Sequence, residues 1–326
     1  MLRVLNKMQF MPETIYQQLI IPSSCAGFRL DQALSALLPQ YSRSKITQWL
    51  KNGNITLNDL PALPKLKVYG NEKIELNIIL EQTNPWHAEP LKLNVVFEDK
   101  TLLVIDKPVG MVVHPAAGNL TGTLVNALLH YHPNLKTLPR AGLIHRLDKD
   151  TSGLLVVAKT LSAHTYLTAQ LQERFIEREY LALINGVLTG GGTINQPIGR
   201  HPRNRQKMAV IASGKPAITH YRIEEKFQDY TLLKVILETG RTHQIRVHMA
   251  FIHHPIVGDQ LYNRLQLPKN CNESLKTTLR TFKRQALHAK KLGFKHPSNH
   301  KELLFESPIP EDFATLIQII RKENVS

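Results

Sequence analysis

The chain reads Ala141-Gly-Leu-Ile-His-Arg-Leu-Asp-Lys-Asp-Thr-Ser-Gly-Leu-Leu-Val-Val-Ala-Lys159 at its most informative point. A polar loop with two acids, Asp148 and Asp150, runs directly into an apolar run that is typical of a buried strand. The neighbouring cations Arg146 and Lys149 favour the ionised carboxylate, which is available as a nucleophile rather than as a proton donor. The same residues also describe an ion-paired turn that positions the strand, and taken alone this stretch favours that interpretation.

Strand-like segments surround this loop on both sides. They are Leu91–Glu98, Thr101–Asp106, Leu154–Lys159, Tyr180–Gly186 and Tyr230–Glu238. One helical segment, Ala163–Phe175, places Leu167 and Leu171 on one face. Because strands outnumber helices without regular alternation, we predict an α+β domain over residues 91–326, with a mainly antiparallel or mixed β-sheet flanked by helices and loops.

Residues 23–82 are predicted to form a separate small α/β domain. Apolar residues recur at helical spacing from Phe28 to Leu38, and a second helix starts at Ser42 and ends at Asn52-Gly53, a C-cap signal. Short β-like pieces follow at Ile55–Leu57 and Lys73–Leu76. We expect residues 1–22 to be a tail and residues 83–90 to be a linker.

Arg43 and Lys45 lie in the first turn of the second predicted helix. Cations at this position oppose the helix dipole, so selection for stability alone would disfavour them. A surface that faces phosphate would explain both side chains, and a solvated face with two stray charges explains them equally well.

The charge balance favours a polyanionic partner. Lys and Arg total 41 against 26 acidic residues, a formal charge of +15. An excess of this size on 326 residues indicates nucleic acid more than a merely soluble surface. No run approaches the roughly 18 apolar residues of a membrane span. Two cysteines in no paired motif fit a reducing cytoplasm, where we place the protein.

Two basic stretches are candidates for contact with nucleic-acid phosphates. The first contains no acids and includes Arg200, Arg203, Arg205, Lys207 and Lys215. The second includes Arg280, Lys283, Arg284, Lys290, Lys291 and Lys295. Solvated loops are the alternative for each stretch, and with the overall charge we favour phosphate contact for at least one of them.

The sequence patterns argue against a metal or a nucleotide cofactor. His243, His248 and His253 recur every five residues, a spacing that does not align side chains on one helical face. There is no His-Glu-x-x-His motif, no complete P-loop at Gly214-Lys-Pro and no Gly-x-Gly-x-x-Gly fingerprint. We therefore expect no metal site and no cofactor.

Three further segments, taken together with the Asp148 loop, indicate the function of the loop. They are Lys107-Pro-Val-Gly-Met-Val-Val-His-Pro115, Arg178-Glu-Tyr180 and Glu238-Thr-Gly-Arg-Thr-His-Gln-Ile-Arg-Val-His248. Together with the loop, and in this order, they closely resemble the large-subunit-type family of pseudouridine synthases, from about residue 90 onward. Residues 28–80 resemble the S4-like RNA-binding domain, although Asp59 stands where a glycine often follows the strand's Asn.

The resemblance implies roles for individual residues. Asp148 is the family's catalytic aspartate, Arg246 pairs with it, and Tyr180 stacks on the target base and relays or accepts a proton. Substrate or RNA contacts are expected from His145, Arg146, Ile245, Arg241, Arg43 and Lys45. Arg146 would fill the space that the flipped base leaves, and Ile245 would form the pocket floor. Asp150 remains a rival to Asp148, and Arg241 is a weaker candidate for RNA contact.

The resemblance also implies a substrate, namely uridines of 23S ribosomal RNA in the helix 69 stem-loop, within a precursor of the large ribosomal subunit. We expect a cofactor-free monomer that attacks either carbon six of uracil or the sugar carbon; the sequence leaves both open. Two alternatives stay open from the residues alone. One is a non-catalytic RNA-binding or ribosome-assembly protein, and the other is a hydrolase that uses Asp148 and Asp150 as a carboxylate pair.

Overall fold

The computed structural model describes residues 13–39, 41, 43–80, 86–116, 118–269 and 271–323. The chain divides into two compact units, residues 1–85 and 86–326. Ser42, predicted to open the second helix, and residues 83–85 of the predicted linker lie outside the described residues. Within the described ranges, no helix is both long and apolar enough to cross a membrane.

The small unit packs two helices against an antiparallel sheet. Its elements are β1 (Glu13–Ile20), α1 (Leu30–Leu37), α2 (Arg43–Lys51), β2 (Ile55–Leu57), β3 (Leu60–Pro61) and β4 (Lys73–Leu80). The strands lie in the order β1-β4-β2-β3. Leu34 and Ile46 from the helices share a buried core with Leu76 from the sheet. The predicted tail was wrong for residues 13–20, because Ile15 and Leu19 add this segment to the sheet and pack against the core.

Positive backbone φ angles mark two turns of the small unit. Gly53 adopts φ 74° immediately after α2, the conformation expected of a glycine that ends a helix. Asn58 and Asp59 adopt φ 48° and 64° in the two-residue turn between β2 and β3. Paired left-handed residues are typical of the tightest hairpin turns, and glycine is favoured at the second of them. Asp59 therefore occupies a position that suits glycine better.

The large unit consists of a nine-stranded sheet, a two-stranded hairpin and five α-helices in its described part. Its elements are β5 (Val95–Glu98), β6 (Leu102–Lys107), α3 (Leu124–Tyr131), β7 (Ser152–Ala158), α4 (Leu161–Gln172), β8 (Glu177–Asn185), β9 (Gly192–Asn195), β10 (Ile198–Arg200), β11 (Met208–Val210), β12 (Ile218–Lys226), β13 (Tyr230–Leu237), α5 (Gln244–Phe251), α6 (Glu273–Thr281), β14 (Leu287–Lys295), β15 (Glu302–Glu306) and α7 (Glu311–Glu323). The predicted α+β class with a mixed sheet is confirmed.

Strand β14 joins the two halves of the large sheet. The strand order is β5-β6-β7-β14-β8-β13-β12-β9, and β15 pairs with the second half of β14. Strands β7 and β8 follow each other in the chain, yet β14 from near the C-terminus lies between them. The short contact of β14 with β7 is parallel, whereas its pairing with β8 is antiparallel.

Apolar residues cover both faces of the sheet at β6 and β7. Leu103 and Ile105 of β6 belong to the main core, and Leu102 and Val104 belong to a second core on the opposite face. All seven residues of β7 are buried. A strand that is covered on both faces has no polar side to alternate, which explains the continuous apolar run in the sequence.

Several predicted boundaries shift in the large unit. Strand β5 starts at Val95 rather than Leu91. Residues 86–90 were predicted to belong to a linker, but they are attached to the large unit. Trp86 packs against its core, the His87 carbonyl accepts a hydrogen bond from Asn126, and the Glu89 carboxylate accepts one from the Gly122 amide.

Candidate active site

An arginine between two carboxylates forms the centre of the site. Asp148 lies in the loop before β7 and Arg246 lies on α5, 98 residues later. Arg246 Nη1 donates to Asp148 Oδ2 at 2.9 Å. The remaining donors, Nε and Nη2, reach the two oxygens of Asp259 at 2.7 and 2.9 Å. The guanidinium is thereby fixed in one orientation, because its planar fork is matched on two sides.

Asp259 fixes the position of Arg246 from the interior of the protein. Its side chain is fully buried, and its Oδ1 also accepts hydrogen bonds from the backbone amides of Leu261 and Tyr262. Burial alone would lower the pKa of Arg246, but its hydrogen bonds to Asp259 and the two nearby carboxylates raise it. Arg246 thus keeps its charge beside Asp148 and holds that side chain by a charge-assisted hydrogen bond.

Asp148 opens into a cleft of about 1000 Å³. The cations along its wall far outnumber its two acids, Asp148 and Glu238. They are Arg140, Arg146, Arg174, Arg178, Arg200, Lys215, Arg241 and Arg246. A cleft lined mainly by one sign of charge concentrates ligands of the opposite sign, so this cleft suits a polyanion.

Tyr180 and Ile245 line the same cleft as Asp148. Tyr180 is the fourth residue of β8 rather than its first, and its side chain is nearly buried. Burial raises the pKa of the Tyr180 phenol, and the nearby Asp148 raises it further. The phenol therefore remains protonated at neutral pH, and it can take part in proton transfer by passing a proton on rather than as an ionised base.

Asp150 lines a different cleft, of about 710 Å³, together with Arg284 and Asp312. The chain turns between them, with the Thr151 amide donating to the Asp148 carbonyl at 3.1 Å, so the two acids face different clefts although they are only two residues apart. Asp148 and Asp150 therefore do not form the facing pair that a two-carboxylate hydrolase requires. Of the two acids, Asp148 is the one whose cleft also contains Tyr180 and Arg246.

Lys107 supports the Asp148 loop from the inside of the protein. The side chain is fully buried at the end of β6, and its ammonium donates to the backbone carbonyls of Pro108, Met111 and Lys149. Burial lowers the pKa of Lys107 to about 8, although the carboxylates of Asp150 and Asp148 favour its charge. Sequence reasoning assigned Lys107 only to a turn, because a lysine in a Lys-Pro turn gives no sign of being buried.

Gly153 fixes the point where the loop enters β7. It adopts φ 113°, and a Cβ built there would lie 2.2 Å from the backbone oxygen of Ala289 on β14. A side chain at this position would therefore have to push β14 away. The close approach lets the parallel contact between the two strands begin directly after the loop.

The predicted RNA-contact residues fall into two groups. Arg146 is exposed on the cleft, and Arg241 also lines it while donating to the Pro216 carbonyl at 3.0 Å. His145 differs, because burial lowers its pKa to about 3 and its Nε2 accepts a hydrogen bond from the Val156 amide. A phosphate contact from His145 would therefore come from a neutral imidazole.

In the small unit, Arg43 is already engaged in an ion pair. Its Nε and Nη2 reach the nearly buried Asp31 of α1 at 3.0 and 2.8 Å, and Arg29 approaches the same carboxylate from the other side. This pairing explains a cation in the first turn of α2 without RNA. The Lys45 ammonium lies 5.2 Å from the centre of the Trp49 ring. RNA contact by Arg43 and Lys45 remains a prediction.

The second basic stretch is partly occupied within the protein. Arg284 is nearly buried and holds Asp312 with two hydrogen bonds of 2.6 and 2.8 Å. Lys290 and Lys291 both approach the carboxylate of Glu306. The first stretch fits phosphate contact better, because Arg200 and Lys215 line the cleft that contains Asp148.

Besides Lys107, sequence reasoning missed Asp259 and Arg178, which organise the site. Asp259 follows Arg246 by 13 residues, with no periodic pattern to connect them. Arg178 is nearly buried in β8 and donates to the carbonyls of Leu237 and Glu238, so it holds the start of the β13–α5 connection. The sequence contained no signal for Arg178, because the predicted strand began only at Tyr180, whereas the observed strand begins at Glu177 and buries this cation.

Metal binding finds no support in the described part of the chain. No group of three His, Cys, Asp or Glu side chains within the described ranges could hold a metal ion. His248, one of the three evenly spaced histidines, is fully buried and engages Thr219 Oγ1 and the Gln196 carbonyl.

Comparison with known proteins identifies the family and the fold. The family model described as RNA pseudouridylate synthase matches residues 101–251, and the S4 domain model matches residues 28–74. The matched range contains Asp148, Tyr180 and Arg246. With the relatives described next, these matches show that the chain belongs to the RNA pseudouridylate synthase family and is an RNA-modifying isomerase with an S4 domain.

Two curated relatives are similar along almost the whole chain. Ribosomal large subunit pseudouridine synthase D of Xanthomonas campestris pv. campestris is 50% identical over 309 residues, covering 94% of this chain and 93% of the relative. The protein of the same name from Pseudomonas aeruginosa is 48% identical, covering 96% of this chain and 98% of the relative.

Solved structures give the same fold. Human RNA pseudouridylate synthase domain containing 4 matches with a TM-score of 0.54 and 25% identity, covering 70% of this chain and 93% of that one. Human RNA pseudouridylate synthase domain containing 1 matches with a TM-score of 0.52 and 24% identity, covering 72% of this chain and 96% of that one, and supports the fold alone.

Proposed function

We propose that this chain converts uridines of 23S ribosomal RNA to pseudouridine in the helix 69 stem-loop, with Asp148 as the nucleophile. The curated relatives at about half identity are named for the large ribosomal subunit, which supports the RNA class. The stem-loop itself is the target that the sequence resemblance implies. We propose that the protein acts as a monomer in the cytoplasm on a precursor of the large subunit, through the S4 domain and the cationic cleft.

The observation that supports Asp148 most is its uneven hydrogen bonding. Oδ2 accepts from Arg246 Nη1 at 2.9 Å, whereas Oδ1 lies 3.9 Å from His243 Nε2, beyond hydrogen-bond distance. The side chain is 16% exposed, which is enough to meet a base inserted into the cleft. A carboxylate that is held by one oxygen and open at the other suits a nucleophile.

The proposed reaction starts with extrusion of the target nucleotide. Unstacking costs a few kcal/mol, and Arg146 on the cleft would fill the vacated space and hold backbone phosphate. Asp148 then bonds to carbon six of uracil or to the sugar carbon. The bond from N1 to the sugar breaks, the base rotates, and carbon five bonds to the sugar. Release of Asp148, loss of the carbon-five proton, relayed by Tyr180, and uptake of a proton by N1 complete the isomerisation without change in mass.

The test is chemical mapping of pseudouridine in 23S rRNA from cells that contain wild-type protein, Asp148→Asn or Asp150→Asn. Asp150→Asn is the matched control, because it removes the same charge from the same loop outside the cleft. We expect Asp148→Asn to abolish modification of the helix 69 stem-loop and to keep RNA binding at low salt, and Asp150→Asn to modify normally.

Other outcomes would redirect the proposal. Unchanged modification in Asp148→Asn would rule out this nucleophile and favour an RNA-binding role. Loss of modification at a different stem-loop would keep the chemistry and replace the target. A cleaved RNA product would point to hydrolysis, which the separation of Asp148 and Asp150 opposes.

A further inference from the structure

Two hydrogen bonds lead from the β10–β11 hairpin to the ring of His243, which faces the free oxygen of Asp148. The backbone amide of Met208 donates to the Tyr262 hydroxyl oxygen at 2.7 Å. That hydroxyl lies 2.8 Å from Nδ1 of His243. The opposite ring nitrogen of His243, Nε2, faces Asp148 Oδ1 at 3.9 Å.

The donors in this chain determine which nitrogen of His243 carries the proton. The Tyr262 oxygen already accepts from Met208, and burial raises the pKa of Tyr262 to about 12, so the phenol keeps its own proton. That proton has an acceptor at 2.8 Å only if His243 Nδ1 is unprotonated. The neutral imidazole then carries its proton on Nε2, toward Asp148.

The charges around His243 favour this neutral form. Burial has the largest influence and lowers its pKa, while Asp148 and Asp259 act in the opposite direction. Arg246 and Arg146 lower the pKa further. His243 is therefore a neutral donor at physiological pH, and it does not neutralise the carboxylate beside it.

The backbone holds the ring in place. His243 adopts φ 56° immediately before α5, a conformation that a non-glycine residue adopts at a cost of about 1 kcal/mol. Tyr262 is held as well, because Arg246 lies 5.0 Å from its ring centre and Lys207 lies 5.9 Å from it. Both rings are thus fixed before substrate arrives, and strained residues of this kind gather at functional sites.

We propose that Tyr262 and His243 form a proton-ordered pair that presents an Nε2–H donor to Asp148 Oδ1 and thereby positions the reactive oxygen. This inference rests on the proposed role of Asp148. The donor is too distant to form a full hydrogen bond, so it attracts Oδ1 without occupying its lone pairs. The opposite tautomer would place a nitrogen lone pair against the carboxylate and repel it. His243 is a positioning residue that acts through Asp148.

The first experiment measures the tautomer directly. Nitrogen-15 NMR of labelled histidine distinguishes a protonated Nε2 from a protonated Nδ1 in the full-length protein. We expect His243 to be in the Nε2–H form in wild type and a mixture of both forms in Tyr262→Phe, which loses the phenol proton donor but keeps the ring beside Arg246. A wild-type His243 that is protonated on Nδ1, or on both nitrogens, at neutral pH would overturn the proposal.

The second experiment measures the rate of pseudouridine formation in a single turnover at saturating RNA. We expect Tyr262→Phe to slow the chemical step about tenfold and His243→Leu to slow it at least as much, with RNA affinity unchanged, since a tenfold change reflects one modest interaction. His243→Gln, whose amide can also donate, is expected to recover most of the rate. The double variant His243→Leu/Tyr262→Phe is expected to be no slower than His243→Leu, because the two residues act as one unit.

Two kinetic results would contradict the pair. If the double variant is slowed by the product of the two single-variant factors, the two residues contribute independently. A His243→Gln variant as slow as His243→Leu would show that the ring packs rather than donates. A failure of the proposed nucleophile would give a different result. Asp148→Asn would then remain active, while the NMR spectrum of the wild-type protein would still show His243 in the Nε2–H form.

Discussion

Each unit of the chain contains a cluster of arginines and aspartates, and the two clusters use the same side chains in opposite ways. In the small unit, one carboxylate, Asp31, lies between Arg29 and Arg43 and accepts four hydrogen bonds from them. In the large unit, one arginine, Arg246, lies between Asp148 and Asp259. The first cluster has a net positive charge and the second a net negative charge.

The difference determines which cluster can do chemistry. Both oxygens of Asp31 are occupied and its side chain is only 5% exposed, so the pair can connect α1 to α2 but has no free carboxylate oxygen. In the large unit the buried Asp259 takes two guanidinium donors, and Asp148 keeps one oxygen open to the cleft. An unequal division of hydrogen bonds thus separates a reactive carboxylate from a structural one.

Removing the shared arginine should have the largest effect. Arg246→Met leaves Asp259 buried and uncompensated, so we expect the free energy of unfolding to fall by about 3–5 kcal/mol and pseudouridine formation to be lost. Denaturant unfolding and single-turnover assays measure the two losses. Arg246→Lys keeps the charge but cannot form hydrogen bonds to both carboxylates in the same way. We therefore expect its free energy of unfolding and its activity to lie between those of wild type and Arg246→Met.

The control for this prediction is Arg241→Met. Arg241 lines the same cleft and makes one side-chain hydrogen bond, to the Pro216 carbonyl. Its removal therefore leaves no buried carboxylate without a partner. We expect little change in its unfolding. Equal denaturant midpoints for Arg246→Met and Arg241→Met would show that the network around Asp259 does not stabilise the fold.

Lys107 provides a pH test of the large cluster. Its folded-state pKa of about 8 lies below the ordinary 10.5, so the folded protein holds this proton less tightly than the unfolded chain. Below pH 8 both states are protonated and the full penalty of the buried charge applies. Between pH 8 and 10.5 the penalty disappears, so the unfolding free energy of wild type relative to Lys107→Met should rise by about 3 kcal/mol.

The measurement for Lys107 is the difference between the two unfolding free energies at several pH values, which cancels other titrating groups. A difference that stays flat up to pH 10.5 and falls above it would show that the ammonium is stabilised rather than penalised by its buried position. A difference that is flat both below and above pH 10.5 would show an ordinary pKa and thus a hydrated lysine.

Asp31→Asn should have a moderate effect on the small unit. The two arginines are 39% and 44% exposed and can be rehydrated, so we expect a loss of about 1–2 kcal/mol. Burial opposes ionisation of Asp31, but the hydrogen bonds from Arg43 and Arg29 lower its pKa. Its contribution is therefore complete above the ordinary pKa of 3.8 and is lost as the pH falls further.

Hydrogen exchange of α1 and α2 amides reports on Asp31 without interference from the large unit. Wild type should lose more protection than Asp31→Asn on acidification. Glu273→Gln is the control, because its pair with Lys276 is exposed and should contribute almost nothing. Equal acid sensitivity of wild type and Asp31→Asn would show that the cluster does not connect the helices.

The smallest expected effect is a gain. Asp59→Gly places a glycine at φ 64° in the β2–β3 turn and should stabilise the small unit by about 0.5 kcal/mol, after the loss of an exposed contact with Lys73. Hydrogen exchange of the β2 amides measures it. Lower protection than in wild type would mean that the ion pair with Lys73 outweighs the backbone strain.

Local patterns predicted the elements that depend on local physics. The apolar run of β7, the helical spacing of α1 and the glycine after α2 all follow from neighbouring residues. Strand β1 could not be predicted in this way, because its segment becomes a strand through pairing with β4, about 60 residues away. Residues 86–90 likewise depend on contacts with Asn126 and Gly122.

The site divides along the same line. The family resemblance predicted that Asp148, Tyr180 and Arg246 share one site, because the residue order of the motifs is specific. The buried partners Asp259 and Lys107 were not found, since burial is a property of the assembled fold rather than of the residue. Asp148 and Asp150 look equivalent in the sequence, and only the direction of the loop assigns them to different clefts.

The position of β14 in the sheet has a consequence for synthesis on the ribosome. The loop with Asp148 belongs to the half of the sheet that ends at β7, whereas Tyr180 and the β13–α5 connection belong to the half that begins at β8. The strand that joins the halves, Leu287–Lys295, follows β5 to β13 along the chain. Since domains fold as units and distant pairings form slowly, we expect a nascent chain to acquire the complete cleft only after this strand has left the ribosome.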